Sequence, residues 1–188
     1  MTYYKLDWTT EKKTLAFIKD YDYPKGLLDE QYKGVSIKLE RALFITLSNT
    51  RAKLPDILVG GALPIISQRF KNLLCNLDDF SKGYLQFFEV QFQNKAAFPS
   101  YYFLNLIDHL DAIDEENSKL TRLPKDIFPD RQHIIKSIEK LVLQEDKMND
   151  RNIFRLKKHS TAIYVSEKLK TLCEDNKLLG LKLINTAS

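Results

Sequence analysis

The chain has 188 residues and a net charge of +4, and it is 44% hydrophobic and 29% charged. That apolar content excludes a disordered chain, and the length fits one domain or two small halves that share one core. No apolar run approaches the ~20 residues that cross a bilayer, and the first residues lack the apolar stretch of a secretory signal, so we expect a cytoplasmic protein. Cys75 and Cys173 each lie in a Leu-rich helical pattern, which predicts buried, reduced thiols.

The first fifty residues are predicted to form short β-strands. Their apolar clusters lie at residues 3–8, 16–18, 35–37 and 43–45. A turn is predicted over residues 23–26, which contain Pro24 and Gly26, because both residue types favour turn conformations. We therefore predict a β-rich N-terminal segment, residues 1–53, packed on a main domain of residues 54–188.

The main domain is predicted to begin with an extended segment at residues 54–59, followed by a capped helix and two strands. Ser67 is the expected N-cap of the helix, because its hydroxyl can accept a hydrogen bond from a free amide of the first turn. The buried face of that helix is predicted to consist of Phe70, Leu73, Leu74 and Leu77. A period-two pattern over residues 84–92 and an apolar run over residues 101–107 predict the two strands.

A polar segment over residues 114–130, which contains Pro124 and Pro129, is predicted to be a long surface connection. Beyond it the apolar clusters predict further strands. These clusters lie at residues 134–135, 141–143 and 153–156.

The end of the chain repeats an earlier unit. Residues 164–172 match residues 65–73 position by position in residue type, which makes Ser166 the counterpart of Ser67. Each predicted helix is followed by a glycine and a strand. Two copies are too few for a solenoid, so we predict two similar Ser-capped helix-plus-strand units packed on one sheet system. The predicted fold class is α+β, with mixed or antiparallel sheets and few helices.

The histidines give only weak indications of catalysis. His109 and Asp111 would share one face at the end of the strand at residues 101–107 and could act as an acid–base pair. Polar residues are, however, also expected wherever a buried strand meets solvent. His133 and His159 have no Cys, His or carboxylate at the spacing of a zinc site.

Two further segments lack the spacing of a known ligand-binding loop. Gly60 and Gly61 precede a helix, but the sequence has neither Gly-x-x-x-x-Gly-Lys nor Gly-x-Gly-x-x-Gly, so a flexible turn is predicted there. Asp114, Glu115 and Glu116 form a carboxylate cluster without the glycine and spacing of a calcium loop. We expect no catalytic site, no metal and no cofactor.

Basic residues are concentrated at the C-terminal end, where residues 151–188 contain eight Lys and Arg against three Asp and Glu. Arg155, Lys157, Lys158 and His159 are predicted to form a basic turn between two strands. Such a turn could contact nucleic-acid phosphates while neighbouring aromatic rings stack on bases, but an ordinary solvated surface is the stronger interpretation. The charge bias is also weaker than the clustered pattern of nucleic-acid-binding proteins.

Several segments, taken in their order and spacing, resemble one known family. They lie at residues 54–58, 66–71, 101–106, 111–114, 141–143, 152–156, 163–170 and 180–183. Together they are similar to a bacterial family of immunity proteins from polymorphic-toxin systems, with the likeness covering residues 54–184. The resemblance implies a protein that binds a toxin, blocks its active site or its folding, and so protects the cell that produces it. It implies no catalytic residue in this chain.

We therefore expect a non-enzymatic protein whose partner is a cognate toxin. The candidate contact residues are charged and lie on the basic end and on an acidic loop: Arg155, Lys157, Lys158, Lys168 and Lys170, and Asp114, Glu115 and Glu116. Opposite charges speed association and help to reject wrong partners, although each of these residues could equally be a solubilising charge. The alternative is a small nucleic-acid-associated or regulatory protein that uses the basic C-terminal third, and a small enzyme ranks third.

Overall fold

The computed structural model describes residues 2–8, 15–49, 51–58, 62–94, 99–124, 126–127, 129 and 134–186. Within these residues the fold is α+β, with twelve strands and four short helices, which confirms the predicted class. Three residues considered above, Gly60, Gly61 and His133, lie outside the described residues.

The elements of the first half of the chain precede those of the second half in the following order. The first half contains β1 (Tyr3–Trp8), β2 (Ile18–Asp22), α1 (Leu27–Lys33), β3 (Leu43–Leu47), β4 (Ile57–Leu58), β5 (Ile65–Ser67), α2 (Gln68–Cys75), α3 (Asp78–Ser81) and β6 (Leu85–Phe92). The second half contains β7 (Tyr101–Leu106), β8 (Lys119–Arg122), β9 (Ile135–Lys140), β10 (Ile153–Leu156), β11 (His159–Ser166), α4 (Glu167–Asp175) and β12 (Leu181–Asn185).

The strands form two larger sheets and one hairpin. One sheet has four strands in the order β10-β11-β1-β12, and the other has six in the order β2-β3-β6-β7-β5-β4. Neighbouring strands are antiparallel except β3 and β6, which are parallel. β8 and β9 pair separately. The two larger sheets share a core, to which α2 contributes Phe70 and α4 contributes Leu169.

Four strands of each larger sheet repeat the same arrangement. The strands β4-β5-β7-β6 correspond to β10-β11-β1-β12, with antiparallel partners in matching register. Ser67 pairs with Tyr101 in one copy, and Ser166 pairs with Tyr3 in the other. The strand after the helix, β6 or β12, continues in the same matching register. The repeat that the sequence shows around the two helices therefore extends over a hairpin and two further strands.

The two copies differ in chain order. In the first copy β7 follows β6 directly, whereas its counterpart β1 lies at the start of the chain and pairs with strands from its end. β1 thus fills the centre of the four-stranded sheet, between β11 and β12. The two units lie on separate sheets that share a core, where we had expected one sheet system. The division into segments at residue 53 stays a prediction.

Both serine caps are confirmed, and each is tied to a residue on the neighbouring strand. The hydroxyls of Ser67 and Ser166 each accept a hydrogen bond from a first-turn amide at 3.2 Å. The Ser67 hydroxyl donates to Oδ1 of Asp56 at 2.6 Å, and the Ser166 hydroxyl donates to Oδ1 of Asn152 at 2.9 Å. Each serine therefore fixes a helix start and a strand start at once.

The two copies are also linked crosswise through these residues. Oδ2 of Asp56 accepts from the amide of Leu179, which follows the other copy's helix, at 2.8 Å. In the same way the amide of Asn152 donates to Oδ1 of Asp79, in the segment that follows α2, at 2.9 Å. The Asn152 side chain adds a second bond to Oδ2 of Asp79 at 2.8 Å. Each strand start is thus held by the segment after the opposite helix.

The N-terminal segment contains a helix, α1, that the sequence analysis missed, and it lacks one predicted strand. Residues 35–37 form no strand, because side chains take the place of a strand partner. The amide of Ile37 donates to Oε1 of Gln86 at 2.9 Å, and Nδ2 of Asn105 donates to the carbonyl of Val35 at 2.9 Å. The backbone there is satisfied without a ladder.

The strands after the polar connection also differ from the prediction. Strands were expected at residues 134–135 and 141–143, but β9 is one continuous strand and residues 141–143 form none of their own. Ser118 replaces the ladder there, because its hydroxyl accepts from the Val142 amide at 2.9 Å and donates to the Val142 carbonyl at 3.2 Å. β8 lies within the segment at residues 114–130 that was predicted to be a structureless connection.

Substitution of either cap serine by alanine tests the double role of these hydroxyls. We expect Ser67→Ala and Ser166→Ala each to lower the free energy of unfolding by about 1–2 kcal/mol, because each removes a helix cap and one hydrogen bond to a neighbouring side chain. Urea unfolding with an unchanged m-value would measure the loss. The control is Ser81→Ala, whose exposed hydroxyl bonds only to the Asp78 carbonyl and whose effect should stay within about 0.5 kcal/mol. Equal losses in all three variants would contradict the prediction.

A second substitution tests the crosswise link. Asp79 is buried and accepts hydrogen bonds from the Asn152 amide, the Asn152 side chain and the Ile153 amide. We expect Asp79→Ala to cost about 2–4 kcal/mol, since it leaves these donors without an acceptor. Asp78→Ala, at the exposed neighbouring position, is the matched control and should cost far less in the same urea titration. Similar costs for both variants would show that Asp79 is not a link.

Candidate functional site

The predicted acidic loop and two of the predicted basic residues lie side by side. Nζ of Lys158 lies 2.6 Å from Oε1 of Glu115, and the Arg122 guanidinium donates to the other oxygen of the same carboxylate. The hydrogen bonds from Lys158 and Arg122 lower the pKa of Glu115. This patch, called the turn surface below, consists of Asp114, Glu115, Glu116, Arg122, Lys157 and Lys158.

Backbone hydrogen bonds anchor the turn surface to the rest of the fold. The Lys157 amide donates to the Leu110 carbonyl at 3.0 Å, and the Leu110 amide donates to the Arg155 carbonyl at 2.9 Å. The Ile135 amide donates to the Lys158 carbonyl at 2.8 Å. The positions of these charges are therefore set by the backbone of three separate segments.

The other two predicted basic residues, Lys168 and Lys170, lie at the start of α4, at the opposite end of β11 from Lys157. An eight-residue strand separates the two groups by roughly 23 Å, at about 3.3 Å per residue. Nζ of Lys170 lies 2.9 Å from Glu174 and 3.4 Å from Glu167, so its charge is compensated locally. The structure therefore does not bring the predicted basic residues together on one surface.

Two residues of the predicted basic turn are buried. Arg155 is 3% exposed and His159 is 8% exposed. Both are strand residues that flank the turn, in β10 and β11, and only Lys157 and Lys158 form the turn itself. Arg155 therefore does not lie on the solvated surface where the sequence analysis placed it, and the basic run is divided between inside and outside.

Arg155 instead lines a cleft of about 330 Å³ between the two larger sheets, called the Arg155 cleft below. Its other polar lining includes Lys5 of β1, Tyr32 of α1, Lys136 of β9 and His159 of β11. Apolar side chains of the shared core form much of the remaining wall. Charged groups from strands far apart in the chain thus meet at one apolar crevice.

The guanidinium of Arg155 is only partly satisfied. Its Nη1 donates to the carbonyl of Ser160, its Cζ lies 5.6 Å from the centre of the Tyr32 ring, and its Nε has no hydrogen-bond partner. Burial lowers the pKa of Arg155 to about 10, and only the neighbouring Tyr32 opposes that shift. The side chain therefore keeps its positive charge at neutral pH inside the cleft.

Comparison with known proteins identifies the family. The sequence matches an immunity protein family (Imm11) over residues 16–188. The chain belongs to this family. The Imm11 match confirms the family resemblance and extends beyond the segments that carried it, because it includes β2, α1 and β3, while β1 lies before it. A search of the curated proteins found no match.

The acid–base pair considered for His109 and Asp111 is not formed in this Imm11 protein. His109 is buried whereas Asp111 is exposed, and no hydrogen bond joins them. The His109 ring packs so closely on Gly34 that an added Cβ there would lie 2.6 Å from the ring. Burial, with a contribution from the charge of Arg155, lowers the pKa of His109 to about 4. The imidazole is thus a neutral part of the interior.

The remaining chemical candidates in this Imm11 protein offer no reactive arrangement. Within the described ranges, no three His, Cys, Asp or Glu side chains are grouped so that they could hold a metal ion. Cys75 and Cys173 are free, and burial raises the pKa of Cys173 to about 12, which keeps it a thiol. None of the described helices is long and apolar enough to span a membrane.

The two buried histidines make stability depend on pH. Burial lowers the pKa of His109 and of His159 to about 4, against about 6.5 in the unfolded chain. Below pH 6.5 the unfolded state binds more protons, so the free energy of unfolding should fall as the pH falls from about 6.5 towards 4, by up to about 1.4 kcal/mol per pH unit for each histidine. Urea titrations at several pH values between 7 and 5 measure the slope. His159→Gln should roughly halve it, and an unchanged slope would contradict the assignment.

Proposed function

We propose that this Imm11 protein neutralises a cognate toxin by binding it directly in a one-to-one complex. The observation that carries the proposal is the family match, which covers residues 16–188. Immunity requires that almost no free toxin remains, which calls for nanomolar or tighter binding, or about −12 kcal/mol. A folded chain with its charges fixed by backbone hydrogen bonds suits such binding, because little freedom is lost on association.

The turn surface is the region that we place against the toxin. It brings charges of both signs together from residues 114–116, 122 and 157–158, and Lys157 is exposed and makes no ion pair with the described residues. The start of α4 offers less, since Lys170 is already paired with two glutamates. Charges of both signs favour a partner with the complementary pattern and reject others by like-charge contact.

The nucleic-acid alternative gains no support from the described residues. Its basic turn depended on Arg155, Lys157, Lys158 and His159 acting together, but the first and last are buried and Lys158 is paired with Glu115. Phosphate binding by such proteins depends on several accessible cations on one face. Only Lys157 of that group is both exposed and without an ion pair in the described part of the chain.

Charge reversal on the turn surface tests both the partner and the face. We expect tagged wild-type protein to co-purify in equal amounts with the toxin encoded beside its gene. We expect Lys157→Glu/Lys158→Glu to weaken the complex at least tenfold, mainly through slower association at low salt, because the reversed charges repel the toxin. Surface plasmon resonance at two salt concentrations measures the rates, and thermal melts confirm that the variant is folded.

The matched control is Lys82→Glu/Lys168→Glu, which changes the net charge equally at two exposed positions outside the turn surface. We expect it to bind the toxin nearly as tightly as the wild type. If the control and the turn variant lose the same affinity, net charge rather than the turn surface drives binding. If the wild type does not co-purify with any neighbouring gene product, the proposed function is wrong.

A further inference from the structure

The two buried arginines of this chain differ in how their charges are compensated. Arg151 and Arg155 are each 3% exposed. Arg151 has a carboxylate partner, because its Nη2 lies 2.7 Å from Asp108, and its Cζ lies 3.1 Å from the centre of the Tyr84 ring. Arg155 has no carboxylate partner among the described residues, and its bonded neighbour is a backbone carbonyl. One buried charge is therefore balanced and the other is not.

An unbalanced buried charge is costly, and proteins normally pair it or hydrogen-bond all of its donors. Arg155 does neither, since its Nε has no acceptor and its charge is opposed only by the weak dipole of the Tyr32 ring and hydroxyl. The missing group is an oxygen anion, because a guanidinium donates in a flat fork that matches carboxylate and phosphate oxygens.

The surroundings of Arg155 favour the same kind of ligand. Lys5 and Lys136 also line the Arg155 cleft, so three cations face one described carboxylate, Asp7, which makes no ion pair with Arg155. Lys136 is exposed and Lys5 is half-buried, which leaves their ammonium groups accessible to an entering group. Charge in the cleft therefore attracts an anion from solvent.

We propose that the Arg155 cleft is a binding site for an oxyanion, a carboxylate or a phosphate, that pairs with the Arg155 guanidinium. The space of about 330 Å³ is enough for a small organic anion or for one side chain. Ile66, Phe70 and Leu104 form part of the wall, so a carboxylate attached to an apolar chain fits better than a bare ion. The anion has two possible sources, a free small molecule and an acidic side chain of the toxin.

Only the second source depends on the proposed function. An Asp or Glu of the toxin, inserted into the cleft, would give the complex a buried anchor beside the charged turn surface, since the Arg155 carbonyl accepts the Leu110 amide that in turn binds the Lys157 amide. Such fully desolvated, well-paired residues dominate the affinity of many interfaces. A free anion would bind whether or not a toxin is present.

The first arm of the test uses the free full-length protein and three probes: inorganic phosphate, acetate and hexanoate. We expect each to shift the Nε–Hε NMR signal of Arg155 in a saturable way, with hexanoate binding at least fivefold tighter than acetate because of its apolar chain. The matched Arg151 signal should stay unchanged, because Asp108 already occupies that guanidinium. No saturable response of Arg155 to any probe would count against the site for small anions.

Variants separate the cleft from general attraction of anions to a basic protein. Arg155→Gln should abolish the binding of hexanoate, and Lys136→Gln, an exposed position that tolerates substitution, should weaken it about threefold or more. If Arg155→Gln fails to fold, Lys136→Gln carries the comparison. Lys82→Gln, which removes an exposed charge outside the cleft, should bind hexanoate as the wild type does. Equal losses in the Lys136 and Lys82 variants would reduce the effect to net charge.

The second arm uses the toxin complex. If a toxin side chain occupies the cleft, saturating hexanoate should weaken the complex with wild-type protein and leave the complex with Lys136→Gln less affected. If toxin affinity is unchanged by hexanoate while the free protein still binds it, the site serves a free anion. If the toxin does not bind at all, the proposed function fails while the anion site stands. The proposal is overturned if neither the probes nor the toxin perturb the Arg155 signal.

Discussion

The fold depends on two side-chain oxygens that a serine and a backbone amide share across the two halves of the molecule. Asp56 receives the Ser67 hydroxyl on one oxygen and the Leu179 amide on the other, while Asn152 joins the second cap serine to Asp79. These bonds fix the start of a helix, the start of a strand and the end of the opposite unit together. Because the groups are largely buried, each bond excludes water and its loss would leave a polar atom unsatisfied. The shared core can form only when both halves are in this register.

Local signals in the sequence were sufficient for the parts of the fold that local chemistry decides. The caps at Ser67 and Ser166 were predictable, because a short hydroxyl before an amphipathic pattern has few alternatives. The strand at residues 101–107 was predictable from its apolar run. Residues 35–37 and 141–143 have equally apolar patterns, yet distant side chains such as Ser118 satisfy their backbone. No local pattern reveals that competition, since the partner lies far away in the chain.

The candidate site shows the same division between local and distant information. Residue types alone correctly place Lys157 and Lys158 in a turn, but they group Arg155 with these two because the three are close in sequence. The strand β10 ends between them, and that single boundary moves one cation into the interior. The acidic loop at residues 114–116 was considered as a separate patch, and only the tertiary structure shows that it neutralises the basic turn through Glu115. A signal for the cleft was present in the sequence as an arginine inside an apolar strand pattern, which charge counting ignores.

The position of β1 ties the first residues to the last. Tyr3 pairs with Ser166 and Leu6 pairs with both Ile163 and Leu183, so the central strand of the four-stranded sheet finds its neighbours only across most of the chain. On the ribosome, at roughly 5–20 residues per second, β1 emerges about 10–30 s before those partners exist. The six-stranded sheet has most of its strands available earlier and can assemble first. β1 then waits as an unpaired strand and closes the second sheet last, which makes completion of synthesis, rather than the appearance of the first domain-sized length, the event that yields a finished molecule.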